Sequence, residues 1–201
     1  MRQETAGVTE TLIDSAKKEF LEHGFQNANL RRISSESGVS TGSIYTRFGD
    51  KAGLFSAVVK PAADGLMKMY LDSITAATES GDPAEATSQG DEGTELVLKY
   101  IYDNFDVFKL IFCHSAGTEY EHYFDELAET EEKYYREFVK QFSRRENKVS
   151  DFFIHVICRT GWSYIYEVVS HDLSYDEAQV FMKSIREFCF AGWGKVLGAE
   201  L

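Results

Sequence analysis

Large apolar side chains recur every three or four residues along nearly the whole chain, and only two prolines interrupt its 201 residues. Such spacing lays a continuous stripe down a helix, because a helical turn takes about 3.6 residues. No window alternates apolar and polar residues with period two between turn signals. The pattern predicts an all-α fold of about nine helices and no sheet. Hydrophobic residues make up 43% of the chain and charged residues 27%, which is enough to build a packed core.

The first fifty residues read as three short helices and the start of a fourth. Val8, Leu12, Ala16 and Phe20 form one stripe, which Gly24 ends as a left-handed cap. Asn29 caps a second helix that buries Leu30 and Ile33 and stops at Gly38. After the turn Gly38-Val39-Ser40, Ser40 caps a very short helix, 41–47, that buries Ile44 and Phe48. Gly49 breaks it, and Asp50 caps a long fourth helix that Pro61 either kinks or splits. Two short helices across a three-residue turn are a helix-turn-helix signature. The second helix of such a pair can lie in the DNA major groove with its N-terminal residues against base edges. Thr41, Gly42 and Ser43 supply hydroxyls and close backbone approach there, and Tyr45, Arg47 and Lys51 are residue types that contact phosphates.

Charge does not contradict this. The net charge is −12, yet residues 1–51 carry seven basic and seven acidic side chains, so the whole imbalance lies in 52–201. That asymmetry suggests two jobs in one chain.

The segment 30–59, LRRISSESGVSTGSIYTRFGDKAGLFSAVV, resembles the DNA-binding segment of TetR/AcrR-type transcriptional regulators. The likeness rests on Ile33, Gly38, Val39, Ser40, Gly42, Tyr45, Phe48, Lys51 and Leu54, and 16–25 resembles the family's first helix. Ser34 stands where the family usually has Ala, and Asn29 where a Thr often caps the second helix. The resemblance implies a DNA-binding domain over 1–55 followed by a helical ligand-binding and dimerisation domain over 56–201. It implies a homodimer on a palindromic double-stranded operator, with a small-molecule effector that releases the DNA, and repression as the default. It also implies that Asn29, Tyr45 and Lys51 touch phosphates, while Thr41 and Ser43 face bases with Thr46 and Arg47 beside them. The alternative is a helix-turn-helix that serves as a protein-interaction module, or an activator.

Further along, 80–93 holds no large apolar residue and reads as a surface loop. A bend is expected near Asp103-Asn104. Thr118 caps a long helix, and Ser150 and Ser174 cap two last ones over about 151–171 and 175–198. Those two are apolar on more than one side, so each is covered twice, once by the core and once by a second subunit. Phe181, Ile185, Phe188 and Gly192 mark that seam. An aromatic-rich region, 96–170, is expected to hold a mostly apolar cavity for an aromatic or amphipathic molecule. Phe108, Phe112, Tyr123, Tyr134 and Trp162 are its candidate lining. Glu131 and Arg159 interrupt apolar stripes, so they pair with each other, bind the ligand, or snorkel to water. Arg159 is the first choice as polar anchor.

No nucleophile elbow or phosphate loop appears. His114 and His122 flank Glu119 and Glu121, but Gly117 breaks the spacing, so neither a catalytic site nor a metal or cofactor is expected. Three unpatterned cysteines, the lack of an apolar signal core in MRQETAGVTE and the charges within 152–169 predict a cytoplasmic protein with no membrane partner.

Overall fold

The computed structural model describes residues 6–79, 83–143 and 149–198. Among these, nine α-helices and one short 3-10 turn make up the regular structure, with no strand. They are α1 (Ala6–Asn27), α2 (Leu30–Ser37), α3 (Thr41–Phe48), α4 (Lys51–Glu79), α5 (Pro83–Asp103), α6 (Phe105–Cys113), α7 (Tyr123–Phe142), α8 (Asp151–Ser170) and α9 (Tyr175–Leu197), with the 3-10 turn at Glu119–His122. Among the described residues, no helix is long and apolar enough to cross a membrane.

Grouped by contacts, the chain forms two compact units, Met1–Asp64 with Asn104–Tyr123 and Gly65–Asp103 with Phe124–Leu201. Asn104–Tyr123 thus groups with the first unit. The first unit is built round an aromatic centre. Phe20 meets Phe55 edge-on at 5.0 Å, and Phe25 meets Phe55 at 5.5 Å. Leu12, Ile33, Ile44 and Phe108 are fully buried with them. Each such side chain contributes about 1.5–3 kcal/mol by leaving water. In the second unit Ile154 and Cys158 of α8 pack with Phe138 and Val139 of α7 and Leu197 of α9.

Helix ends follow local chemistry. The side chains of Asn29, Ser40, Ser150 and Ser174 each accept a backbone N–H from the first turn of the helix they precede. Ser174 and Glu177 complete a reciprocal capping box. Thr118 caps the 3-10 turn, and α7 follows it directly. Two expectations need correcting, and a third, at Pro61, is narrowed to one of its alternatives. Gly24 has φ 69° and ψ 163°, so it kinks α1 rather than closing it with a left-handed cap. Pro61 does not split α4, which runs on to Glu79. Residues 83–93, expected in a loop, form the start of α5, while 80–82 lie outside the described residues. Pro83 suits a first helical turn, and Ala, Glu and Gln favour helix. Gly93 answers a packing demand, since a Cβ there would lie 2.1 Å from Ser73 Oγ.

Candidate functional site

In the first unit, the turn between α2 and α3 is set by Gly38, whose φ of 69° and ψ of 8° lie in the left-handed region that glycine adopts without strain. Val39 is buried beneath it, and Ser40 Oγ accepts from the Ser43 N–H at 3.2 Å. Ile44 is fully buried and fixes which face of α3 looks inward. One turn on either side of that anchor, Gly42, Tyr45 and Thr46 are exposed, Tyr45 by 54%. The exposed face of α3 is therefore small at its start and carries a phenol above it.

A buried carboxylate ties α2 to α1. Glu19 Oε1 accepts from the Asn29 N–H at 2.7 Å, and both its oxygens accept from Arg32 Nε at 2.9 Å. Burial raises the Glu19 carboxyl, but Arg32 and the Asn29 N–H outweigh it and hold the group below the usual carboxylate range. This brace was not read from sequence, since no local pattern links a residue of α1 to one thirteen positions later.

The other candidates for DNA contact have partners within the unit. The Asn29 side chain accepts from the Arg31 N–H at 2.9 Å. Thr46 Oγ1 donates to the Gly42 carbonyl at 2.8 Å. Arg47 donates to Thr9 Oγ1. Lys51 donates to the carbonyls of Gln26 and Ala28 at 3.0 and 3.2 Å, and its ammonium stands 4.7 Å from the Phe25 ring centre. A cation at the start of α4 is mildly unfavourable there, and this one instead neutralises carbonyls where α1 ends. Thr41 and Ser43 are half-buried, and Arg31 is exposed.

The second unit holds a cavity of about 240 Å³ whose walls include Tyr70, Glu131, Tyr134, Trp162, Ile185 and Trp193. Tyr70 and Trp162 meet edge-on at 5.2 Å, and Tyr135 stacks on Trp193 at 5.1 Å. Glu131 Oε2 is buried without a hydrogen-bond partner among the described residues, and so is Trp162 Nε1. Burial pushes the Glu131 carboxyl up to about 8, against a smaller downward pull from Tyr70 and Trp162. That pull comes from the Tyr70 hydroxyl and the Trp162 indole N–H as donors beside the carboxyl, though neither closes a hydrogen bond on Oε2.

Three of the seven residues expected to meet a ligand, Glu131, Tyr134 and Trp162, share this cavity. Arg159 does not line it and pairs with Asp125 instead. Glu131 and Arg159 therefore go separate ways. Phe108, Phe112 and Tyr123 lie in the first unit, where Phe108 is fully buried, Phe112 packs 5.8 Å from it, and the Tyr123 hydroxyl donates to the Ala63 carbonyl at 2.7 Å. Tyr70 and Trp193 were missed. Their only signal was apolar character on a second side of their helices, which a subunit seam explains equally well.

Along α9, Phe188 is 71% exposed and Gly192 faces open space. Phe181 packs on Tyr164 at 6.2 Å, and Ile185 turns into the cavity. Phe152 of α8 is 75% exposed. Glu119 and Glu121 are engaged locally, by Ser56 Oγ and the Gly117 N–H, both at 2.9 Å. Among the described residues, no three His, Cys, Asp or Glu side chains gather as a metal ion would need.

Comparison with known proteins adds the following. Residues 12–58 match the model described as bacterial regulatory proteins, tetR family. A 52-residue stretch is 38% identical to the HTH-type transcriptional repressor AcnR of Corynebacterium glutamicum, and it spans 26% of this chain and 28% of that relative. The fold of the whole chain is similar to the TetR family transcriptional regulator PfmR from Thermus thermophilus, with a TM-score of 0.62 at 18% identity over 94% of this chain and 98% of that one. It is also similar to SmeT, the repressor of the Stenotrophomonas maltophilia multidrug efflux pump SmeDEF, with a TM-score of 0.59 at 16% identity over 81% and 77% of the two chains.

Proposed function

We propose, from the match of residues 12–58 to the model described as bacterial regulatory proteins, tetR family, that the chain is a cytoplasmic, ligand-responsive repressor that binds a palindromic operator as a homodimer. The observation that carries this reading is the exposed face of α3. Gly42, Tyr45 and Thr46 project from a helix anchored by the fully buried Ile44 and turned by Gly38. A helix end with small residues and no bulk admits close approach to base edges. Residues 1–55 would read DNA, with Thr41 and Ser43 at base edges, Thr46 and Arg47 beside them, and Asn29, Tyr45 and Lys51 at phosphates. Residues 56–201 would bind the effector and dimerise. Repression is supported by the AcnR-like segment. An effector site is supported by the cavity among α4, α5, α7, α8 and α9.

Dimerisation is supported by large apolar side chains that α8 and α9 leave in solvent, among them Phe152, Val180 and Phe188. An isologous pair of such faces has two-fold symmetry, and so does a palindrome.

The test is selection of bound duplexes from a randomised pool by the full chain, followed by titration at several salt concentrations. A palindrome with half-sites about one helical turn apart or a multiple of it is expected, with log K falling by about 0.9 per phosphate contact for each unit of log salt. If no sequence is enriched and salt has no effect, the reading falls and a protein-interaction module takes its place.

A further inference from the structure

We propose that the cavity of the second unit takes an organic cation with a flat apolar body, its ammonium seated on the Glu131 carboxylate. This rests on the reading of that cavity as the effector site. Eight of the twenty lining residues are aromatic, and Glu131 Oε2 lies buried with no hydrogen-bond partner among the described residues. A purely apolar occupant would leave that oxygen unsatisfied, which is unfavourable for a buried polar group. An anion would add a second negative charge to a site that already disfavours one. A cation supplies the missing charge and donor at once, and the faces of Tyr70, Tyr134 and Trp162 attract it further.

Other groups facing Glu131 do not supply that charge. Tyr70 comes from α4, Tyr134 and Tyr135 from its own helix, Cys158 from α8 and Cys189 from α9. Burial raises all five, so each stays neutral near pH 7. Arg186 of α9 also lines the cavity, but its guanidinium is 2.9 Å from Glu95 of α5. Trp162 Nε1, likewise without a partner, does not titrate.

The empty site is mostly protonated at neutral pH, so an arriving cation releases the carboxyl proton to solvent as it binds. Apparent affinity then scales with the deprotonated fraction of the free site. With that carboxyl at about 8, affinity rises about 50-fold from pH 6 to pH 8 and levels off above it.

Calorimetry of the full chain with three probes of one shape tests this: tryptamine, tryptophol and indole-3-propionate, which carry a cation, an alcohol and an anion on the same ring. Tryptamine should bind most tightly, release close to one proton when measured at pH 7 in buffers of different ionisation enthalpy, and tighten with pH as stated. Glu131→Gln copies the shape of the neutral carboxyl. It should fold normally, lose the preference for tryptamine over tryptophol, and lose the pH dependence. Indole-3-propionate binding as tightly as tryptamine, an unchanged pH profile in Glu131→Gln, or no binding by any probe would each overturn the proposal. Duplex selection by the same preparation separates the two readings. A palindrome bound with all three probes silent removes only the ligand class, whereas tryptamine bound with no duplex enriched removes the regulator.

Discussion

Glu19 braces the start of α2 against α1. Its carboxylate is 5% exposed and accepts from Asn29 and Arg32, so it fixes where α2 begins. In the unfolded chain the group returns to about 4.3, above its folded value. Its contribution is therefore complete above that unfolded value and is lost as pH falls through the folded one. Glu19→Gln keeps the size and gives up the ion pair. It should cost about 1–3 kcal/mol at pH 7, and the gap to the parent should be narrower at about pH 4. Urea titrations of both proteins at the two pH values check this, and a constant gap would mean the ionised carboxylate does not matter. Tyr45 makes the opposite case. It is half in solvent and no partner holds its hydroxyl among the described residues. Tyr45→Phe should leave the urea midpoint unmoved and weaken binding to all duplexes alike by several-fold, as a lost phosphate contact would.

Elements in this chain were legible wherever a few adjacent residues decide them. Asn29, Ser40, Ser150 and Ser174 cap the helices they precede because an N-cap needs only its own side chain and the next turn. The helix-turn-helix was legible for the same reason, since Gly38 and Ile44 act within a dozen residues. Helix α5 was not. Its glycines look like loop signals, and what keeps Gly93 small is Ser73 on another helix. The cavity was legible in composition but not in membership. A stripe states that Phe108, Phe112 and Tyr123 are buried, not which of two units buries them. Glu131 was visible only as an interruption of a stripe, and that its oxygen lacks a partner depends on what three other helices place around it. The Gly93 contact gives a double-mutant cycle. Gly93→Ala gains about 1 kcal/mol of helix propensity but drives a methyl into the Ser73 hydroxyl 2.1 Å away. With Ser73→Ala in place the nearest remaining atom is Ser73 Cβ at 3.4 Å, an ordinary contact. Gly93→Ala should therefore be neutral or destabilising alone and stabilising by about 0.5–1 kcal/mol in the Ser73→Ala background. Additive effects in thermal unfolding would show that the two helices do not approach so closely.

For the whole molecule the proposed function asks a chain of net charge −12 to bind a polyanion. The excess acid lies entirely in residues 52–201, and the segment 1–51 proposed to read DNA carries no net charge, so the proposed dimer would double a neutral reading surface. One short reading helix makes few contacts, and the second head gains its strength from being tethered to the first, by about 10²–10⁴ in affinity. Phe188 tests whether α9 supplies that tether. It is 71% exposed, so in a lone chain Glu at this position stays in water and the fold survives. In a dimer seam the same Glu would be buried against its own copy, and an unpaired buried charge costs several kcal/mol. Phe188→Glu should therefore sediment as a folded monomer where the parent sediments as a dimer. Its urea midpoint should stay close to that of the separated parent subunit, and its operator affinity should fall by about 100-fold or more. Affinity for a single half-site should be unchanged, because the residues proposed to read bases lie on α3 and Phe188 lies on α9. A mutant dimer with full operator affinity would place the seam elsewhere on the second unit. A parent monomer that binds the palindrome as tightly as before would remove assembly from the account of how this protein holds DNA.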